Sequence, residues 1–204
     1  MFHVKHEAWA RDALQAGLSL GDREVEALTL YRDHLLETAV PRGYIARSDA
    51  GRLWERHLLD ALRAGPEIPP DVSVGDLGSG AGIPGIPLAI VRQRGRFSLI
   101  EVRRGRGAFL EAVVDRLGLT NAQVVVGSVE GVRERFGICL ARAFSPVASA
   151  WAAAEPRLEP AGSLIYWAGA SFDTAELRSL GVRWRLSEHP GLAEFGPLVI
   201  MSRQ

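Results

Sequence analysis

The fold of this chain is set by one stretch of its sequence, Val72-Ser73-Val74-Gly75-Asp76-Leu77-Gly78-Ser79-Gly80-Ala81-Gly82-Ile83-Pro84-Gly85-Ile86-Pro87-Leu88-Ala89-Ile90-Val91. Its first five residues are typical of a short buried strand that ends at a carboxylate, and the glycines after it indicate a tight turn. Pro84 and Pro87 require the next helix to begin at about residue 83 to 85, because proline is tolerated only within the first helical turn. The N–H groups of that turn lack intrahelical partners, so the stretch predicts a small-ligand site at the helix end.

Two glycine patterns overlap in this turn, and they suggest different ligands. The spacing Asp-x-Gly-x-Gly-x-Gly, which begins at Asp76, is associated with S-adenosylmethionine, whereas Gly-x-Gly-x-x-Gly, which begins at Gly80, satisfies the dinucleotide fingerprint. Both patterns have an acidic residue, Glu101, at a suitable distance downstream, so spacing alone leaves both ligands open. The charge of Asp76 favours S-adenosylmethionine, because a carboxylate attracts a sulfonium and an ammonium group and repels a pyrophosphate.

Segments typical of strands and of helices alternate along the chain from residue 72 onward. The predicted strands are residues 72–76, 97–101, 123–126, 138–142 and 163–167, and the predicted helices are about 84–93, 106–117, 146–157 and 173–180. This alternation implies right-handed crossovers and a mostly parallel sheet covered by helices on both faces. Two further strands, 182–186 and 197–201, have no helix between them and predict an antiparallel finish. We therefore expect an α/β, Rossmann-like fold with a seven-stranded sheet.

The residues before this sheet are predicted to form a helical cover. After Ser19 and Asp22, which are good helix-capping residues, apolar side chains recur at helical spacing as far as Ala39, and a second helix is predicted over residues 52–62. A chain of 204 residues is long enough for one α/β domain. We assign residues 1–65 to an N-terminal helical cap and residues 66–204 to the ligand-binding region of the same domain.

The composition of the chain argues against several protein classes. Its 24 basic and 24 acidic residues give a formal net charge of zero. Neither a run of eighteen apolar residues nor the apolar core of a signal peptide is present, so we expect a cytoplasmic protein without a membrane span, and we take it to be a monomer. The single cysteine, Cys139, lies in an apolar run, is predicted to be buried, and rules out an internal disulfide or a cysteine metal cluster.

The ends of the predicted strands nominate the ligand-binding residues. In an open parallel sheet the ligand lies beyond the carboxyl ends of the strands, where the strand order reverses. The segment 127–130 could hold an adenine with an apolar side chain and backbone amides, and the segment 142–146 is expected to line the floor that faces the substrate. The individual candidates at the four strand ends are Asp76, Gly78, Gly80, Ile83, Glu101, Val129, Glu130 and Arg142.

Glu101 has two interpretations. Its position about twenty residues beyond the glycines suits hydrogen bonds from ribose hydroxyls. The alternative is a helix N-cap or an ion pair with Arg103 or Arg104.

Arginines are concentrated on both sides of Glu101. Six of them fall between residues 92 and 106 against that one acid: Arg92, Arg94, Arg96, Arg103, Arg104 and Arg106. Such a local strip can bind phosphates on a neutral protein, and solvated arginines on helix ends and loops are the equally compatible alternative.

Three segments together resemble the bacterial 16S ribosomal RNA guanine-N7 methyltransferases, the glucose-inhibited division protein B family. They are Leu53-Trp54-Glu55-Arg56-His57-Leu58-Leu59-Asp60, the stretch from Asp76 to Ala89, and Ala141-Arg142-Ala143-Phe144. The similarity covers roughly residues 20 to 204, and the glycine loop followed by Pro-Gly-Ile-Pro-Leu is its most specific part.

The resemblance implies methyl transfer from S-adenosylmethionine to N7 of a guanine in the 530 loop of 16S ribosomal RNA, alone or within the small subunit or an assembly intermediate. It implies cofactor contacts from Gly78, Ile83, Val129, Glu130 and Arg142. We add Asp76, Gly80 and Glu101 as cofactor candidates and Arg103, Arg104 and Arg106 as nucleic-acid candidates. N7 carries a lone pair and no proton, so no catalytic base is nominated, and no metal site is expected.

The chain departs from the family pattern at several positions. After the fifth strand it has Trp167-Ala168-Gly169 where the family commonly has Leu-Lys-Gly, and a lysine expected near Gly105 is absent. These departures leave the cofactor candidates in place and affect the RNA side. The alternatives are a divergent paralogue with another substrate, an NAD-dependent oxidoreductase, and a cofactor-sensing or RNA-binding module without catalysis.

Overall fold

The computed structural model describes residues 2–187, 189, 192 and 195–204, with side chains from residue 7 onward. Its centre is one seven-stranded sheet. The strands are β1 (Ser73–Leu77), β2 (Arg96–Glu101), β3 (Ala122–Val126), β4 (Phe136–Ala141), β5 (Leu158–Trp167), β6 (Arg183–Ser187) and β7 (Leu198–Ser202). They lie side by side in the order β3-β2-β1-β4-β5-β7-β6.

The sheet is parallel from β3 to β5, and β7 runs antiparallel to both β5 and β6. The predicted α/β sheet with an antiparallel strand at the C-terminal end is confirmed. The strand order reverses at β1, which pairs with β2 on one side and with β4 on the other. The carboxyl ends of these three strands therefore meet at one edge, where a ligand is expected.

The helices cover both faces of the sheet. They are α1 (Phe2–Gln15), α2 (Asp22–His34), α3 (Asp60–Leu62), α4 (Gly85–Val91), α5 (Arg104–Leu117), α6 (Val147–Ala154) and α7 (Ala175–Arg178). The π turn Leu35–Ala39 continues α2, and a second π turn, Trp54–Leu59, precedes α3. The 3₁₀ turns are Arg47–Arg52, Gly65–Glu67, Val129–Gly131 and Glu155–Arg157.

Several boundaries differ from the sequence prediction. Helix α4 begins at Gly85, as the two prolines predicted. The helix predicted over residues 52–62 is instead a succession of 3₁₀, π and α turns, and π turns are frequent at functional sites. Strand β5 begins at Leu158, five residues before its predicted start. The prediction missed this first half because its exposed residues carry no apolar pattern. Helix α7 has four residues where eight were predicted.

One apolar core joins the cap to the sheet. Leu28 and Leu35 from the cap lie in the same cluster of buried side chains as Ile86, Leu99 and Leu110. The opposite face of the sheet packs against α6, and Cys139 is fully buried there, as predicted. None of the helices in the described ranges combines the length and the apolar character that a membrane span requires.

Candidate cofactor and substrate site

Three glycines in the loop after β1 have the left-handed backbone conformation that favours glycine. The φ angle is +70° at Gly78, +61° at Gly80 and +92° at Gly82. A Cβ at Gly82 would lie 2.6 Å from Ile86 Cγ1, and a Cβ at the exposed Gly78 would lie 2.7 Å from the Phe144 ring. The loop therefore presents backbone at the strand-end edge, which allows a ligand to approach closely.

Helix α2 of the cap contacts the glycine loop through Tyr31. The Tyr31 hydroxyl donates a hydrogen bond of 2.7 Å to the carbonyl oxygen of Ala81, and Tyr31 is fully buried. Burial, and next the charge of Asp76, raises the pKa of Tyr31 well above its usual value, which keeps the hydroxyl protonated as a donor. In the sequence Tyr31 is only one of the apolar positions of a predicted helix. No local pattern predicts its hydrogen bond to Ala81, which lies fifty residues further along the chain.

Asp76 lies buried beneath the loop, with 2% of its surface exposed. Its Oδ2 accepts a hydrogen bond of 3.2 Å from the Gly85 amide at the start of α4. Burial is the largest cause that raises the pKa of Asp76 to about 7, and this hydrogen bond acts in the opposite direction. The Asp76 side chain therefore caps α4, and in its ionised form it also places negative potential under the loop.

The N–H groups at the start of α4, which the sequence predicted to lack intrahelical partners and to face a ligand, have partners within the protein. The Gly85 amide donates to Asp76, the Ile86 amide donates to Gly82 at 2.7 Å, and the Leu88 amide donates to Pro84 at 3.2 Å. Proline at position 87 has no amide proton. The N–H groups of this first turn are therefore used inside the protein rather than offered to a ligand.

Glu101 ends β2 and binds the glycine loop. It is 4% exposed, its Oε2 accepts a hydrogen bond of 2.9 Å from the Gly80 amide, and its Oε1 accepts one of 2.8 Å from the Arg103 amide. Arg103 is the N-cap residue of α5, so Glu101 supports that helix start. A carboxylate oxygen can accept two hydrogen bonds, so each oxygen of Glu101 retains capacity for a ribose hydroxyl.

Two candidate residues follow β3 in a 3₁₀ turn. Val129 is 5% exposed, and its side chain belongs to the core, next to the carboxyl end of β2. Glu130 is exposed, and its carbonyl oxygen accepts a hydrogen bond of 3.0 Å from Arg157. Ile83, at the far end of the glycine loop, is half-buried against the cap.

Arg142 follows β4 and connects the sheet to the cap. Its Nε donates a hydrogen bond of 3.0 Å to Asp60 Oδ2, and its Nη2 donates one of 3.0 Å to the carbonyl oxygen of Arg56. The other oxygen of Asp60 pairs with Arg63, whose side chain is 3% exposed. One carboxylate is thus shared by two guanidinium groups, which leaves an excess positive charge at this position.

His57 is held between Asp49 and Arg142. Its Nε2 lies 3.0 Å from Asp49 Oδ2, and its Nδ1 lies 3.4 Å from the guanidinium nitrogens of Arg142. Burial first, and Arg142 second, lowers the pKa of His57. The ring is therefore neutral at pH 7, with its proton on Nε2 facing the carboxylate.

A cavity of about 860 Å³ opens where this network meets the carboxyl ends of β4 and β5. Its walls include Asp49, Asp60, Arg63 and Arg142 together with a neutral surface of small and aromatic residues, which are Tyr166, Trp167, Ala168, Gly169, Ala170 and Phe195. The sequence does not reveal that His57 and Asp60 line this cavity, because the polar residues of a single helix do not indicate what they will face.

The six arginines do not form one surface. Arg92, Arg94 and Arg96 lie at the amino-end side of β2, where Arg92 donates to Gly65 and Arg94 pairs with Asp71. The other three follow β2 at the opposite edge. Strand β2 separates the two groups by roughly 17 Å, at about 3.3 Å per residue.

The three arginines at the ligand edge have different surroundings. Arg103 and Arg104 are exposed, whereas Arg106 is half-buried, with its guanidinium carbon 5.3 Å from the centre of the Tyr44 ring. A Cβ at Gly80 would lie 3.9 Å from Arg106 Nη1, so Arg106 borders the glycine loop. The surface open to a phosphate backbone is therefore formed by Arg103 and Arg104.

The residues at this edge fit S-adenosylmethionine. The open backbone of the loop allows close approach, the buried carboxylates of Asp76 and Glu101 favour a cationic ligand, and Glu101 can accept hydrogen bonds from ribose hydroxyls. Val129 supplies apolar surface at the end of β3, where an adenine would lie. A pyrophosphate at this loop would meet the buried acids Asp76 and Glu101, and the amides in the first turn of α4 already have partners.

Solved structures of S-adenosylmethionine-dependent methyltransferases share this fold. An enzyme of this kind from Aquifex aeolicus matches with a TM-score of 0.57 and 19% identity, over 75% of this chain and 93% of that one. Aeropyrum pernix fibrillarin, solved with S-adenosylmethionine bound, matches with a TM-score of 0.54 and 16% identity, over 71% and 74%. At these identities the comparison shows the fold, which is that of Rossmann-like methyltransferases.

Relatives in sequence narrow the family. Ribosomal RNA small subunit methyltransferase G of Streptomyces coelicolor is 36% identical over 198 residues, which cover 93% of this chain and 82% of the relative. The protein of the same name from Corynebacterium diphtheriae is 33% identical over 189 residues, covering 90% and 83%. The family model for rRNA small subunit methyltransferase G, GidB, matches residues 24–189. The chain belongs to this family.

Proposed function

We propose that the protein transfers the methyl group of S-adenosylmethionine to N7 of a guanine in the 530 loop of 16S ribosomal RNA. One observation carries the proposal beyond family membership. The open glycine loop, the Glu101 carboxylate bound to the Gly80 amide, and Val129 lie together at the edge where the strand order reverses. In this fold that edge is the place where a nucleoside-containing ligand binds.

The chemistry requires orientation rather than proton transfer. When bound, S-adenosylmethionine supplies an electrophilic methyl group on a sulfonium sulfur. Guanine N7 presents a lone pair and no proton, so the chain's own groups need only place the base at about 3 to 3.5 Å from the methyl carbon. Asp76 and Glu101 hold positive charge at the loop, and Gly78 and Gly80 allow close approach of the cofactor.

The substrate of this proposal is an accessible guanine of the small subunit or of an assembly intermediate. N7 of a guanine within an A-form helix lies in a deep groove that side chains do not read, so the target base must be unpaired. Arg103 and Arg104, exposed beside the cofactor edge, would contact the RNA backbone. We propose that the protein acts as a monomer in the cytoplasm.

Methyl transfer to small ribosomal subunits from a strain that lacks the enzyme tests this proposal. With labelled S-adenosylmethionine we expect label in 16S ribosomal RNA, and chemical cleavage at N7-methylguanine should place it in the 530 loop. Calorimetry with S-adenosylhomocysteine and with NAD should show binding of the former only. Label at another base would support a divergent paralogue, and binding of NAD alone would support an oxidoreductase.

A further inference from the structure

The cavity between the cap and the ends of β4 and β5 shares one residue, Arg142, with the cofactor candidates described above. None of the glycine-loop residues lines it. Ala143, which lines the cavity, has a positive φ of 51°, and the next residue, Phe144, packs its ring against Gly78. Ala143 and Phe144 therefore connect the cavity to the glycine loop, where the cofactor is expected.

The walls of this cavity carry excess positive charge. Four arginines line it against three acids, and His57 is neutral: the charged residues are Arg52, Arg56, Arg63, Arg142, Asp49, Glu55 and Asp60. Asp60 is shared by Arg63 and Arg142, and Asp49 faces Arg56 at 3.5 Å. On a protein with zero formal net charge, this local excess favours an anionic ligand.

The apolar lining of the cavity suits a flat ring, and its exposed arginines suit a phosphate. Trp167 and Ala168 in this lining are buried, and the residues at positions 168–170, beside Tyr166 and Trp167 in the chain, are small. At the rim, Arg52 is exposed and the side chain of Arg56 is 55% exposed. A volume of about 860 Å³ lies within the usual range of about 300 to 1,000 Å³ for small-ligand pockets.

We infer that this cavity receives the target guanosine nucleotide after it leaves the RNA stack, with the base inside and the phosphodiester on Arg52 and Arg56. This inference rests on the proposed function, since it names the substrate pocket of that reaction. The buried pairs of Asp60 with Arg63 and Arg142 keep the wall rigid, and a fixed wall is what aligning a nucleophile requires.

A steric variant tests whether the cavity holds the base. Ala170 is exposed and already places a Cβ at the wall, so Ala170→Trp fills the pocket without a change to the backbone. We expect kcat/KM for small subunits to fall by about a hundredfold or more, since even one methylene in a pocket changes discrimination by about 10- to 200-fold. Affinity for S-adenosylhomocysteine should stay within about twofold. Ala152→Trp, on an exposed face of α6, is the matched control and should retain wild-type activity.

A charge variant provides a second test that does not depend on packing. Arg52→Gln with Arg56→Gln should weaken RNA binding and reduce the salt slope by about 0.7 for each phosphate that is no longer neutralised. Arg94→Gln, whose side chain is 72% exposed at the other end of the sheet, should leave the slope unchanged.

Four outcomes distinguish failure of the pocket assignment from failure of the proposed function. Full activity of Ala170→Trp, or an unchanged salt slope in the Arg52→Gln, Arg56→Gln variant, would overturn the assignment of the cavity to the target nucleotide. The proposed function would still stand. Loss of S-adenosylhomocysteine binding in a folded Ala170→Trp assigns the cavity to the cofactor and also overturns it. A wild type that transfers no methyl group to small subunits removes the proposed function itself, whatever the variants do.

Discussion

At the scale of single residues, buried acids organise the candidate site. Asp76 and Glu101 both lie under the glycine loop and accept hydrogen bonds from backbone amides. Asp76 accepts one from the start of α4, and Glu101 accepts one from the loop and one from the N-cap of α5. The two acids differ in the number of backbone amide bonds that they accept: Asp76 accepts one and Glu101 accepts two. Burial raises the pKa of Asp76 to about 7, so its protonation state depends on pH in the neutral range.

The Asp76→Asn variant should remove a pH dependence from protein stability. An unfolded aspartate has a pKa of about 3.9, whereas burial raises the pKa of folded Asp76 to about 7, so the folded state keeps its proton longer. This contribution to stability is complete below pH 4 and is lost as the pH rises through 7, by roughly 4 kcal/mol. Asparagine can still accept the Gly85 hydrogen bond. Urea unfolding at pH 4, 6 and 8 should therefore show the variant gaining stability relative to wild type as the pH rises.

Exposed Asp115→Asn on α5 is the control for this experiment, and its curve should run parallel to that of the wild type. Parallel curves for Asp76→Asn as well would contradict the raised pKa.

Gly78→Ala should weaken cofactor binding at least about tenfold, because it combines a strained backbone with a steric clash. The φ angle of +70° disfavours a side chain, and the new Cβ would meet the Phe144 ring. Adding Phe144→Ala should restore part of the affinity by relieving the clash alone. Calorimetry with S-adenosylhomocysteine measures both variants.

Gly118→Ala provides the matched control for strain. Gly118 has φ of +61°, and a Cβ there meets no atom within 4 Å. It should cost stability and leave cofactor affinity unchanged. Equal loss of cofactor affinity in Gly78→Ala and Gly118→Ala would show that backbone strain in general, rather than the geometry of the glycine loop, lowers the affinity.

At the scale of secondary-structure elements, β2 divides a basic strip that is continuous in the sequence. The arginines before it lie at one edge of the sheet, and those after it lie at the ligand edge. Charge patterns along a chain therefore predict a surface only when no strand intervenes.

Arg103→Gln with Arg104→Gln should reduce the salt dependence of RNA binding, because these exposed side chains begin α5 at the cofactor edge. The slope of log affinity against log salt should fall by about 1.4 if two phosphates of single-stranded RNA are no longer neutralised. Arg94→Gln with Arg96→Gln carries the same charge change at the other edge and should leave the slope unaltered. Equal slopes in both double variants would remove the basic strip from the RNA interface.

At the scale of the whole molecule, the cap and the sheet share their core. Long-range polar contacts add to the shared apolar cluster: the Trp167 indole donates to the carbonyl oxygen of Asp60 at 3.0 Å, and Arg63 donates to that of Gly196 at 3.0 Å. Cap residues between Asp49 and Arg63 form part of the wall of the cavity, and we propose that the cap does not fold as a separate unit.

This proposal predicts a single cooperative unfolding transition. Trp9 and Trp54 stack within the cap with ring centres 4.0 Å apart, whereas Trp151 and Trp167 lie against the sheet. Fluorescence of the wild type and of a Trp9→Phe, Trp54→Phe variant, each compared with its own far-UV circular dichroism, should give coincident midpoints in urea. Two separated transitions would mean that the cap unfolds independently.

The sequence by itself determined the features that depend on neighbouring residues. The glycines and prolines between Gly78 and Pro87 specify the loop and the start of α4, and the alternation of apolar segments specifies the parallel sheet with its antiparallel strand. These features could be predicted because backbone sterics and apolar periodicity act within about one turn or one strand. The candidate positions at the strand ends follow from the same patterns.

Only the tertiary structure decided which side chains meet. Tyr31 reaches Ala81 across fifty residues, and Arg142 reaches Asp60 across eighty-two. Closing such long loops costs entropy that no local pattern encodes, so these contacts arise from the packing of the whole core. The same packing used the amides of α4 internally, divided the arginines between two edges, and opened the cavity beside Arg142. A local pattern can place a residue at a strand end, but the partners that set its charge and orientation come from distant parts of the chain.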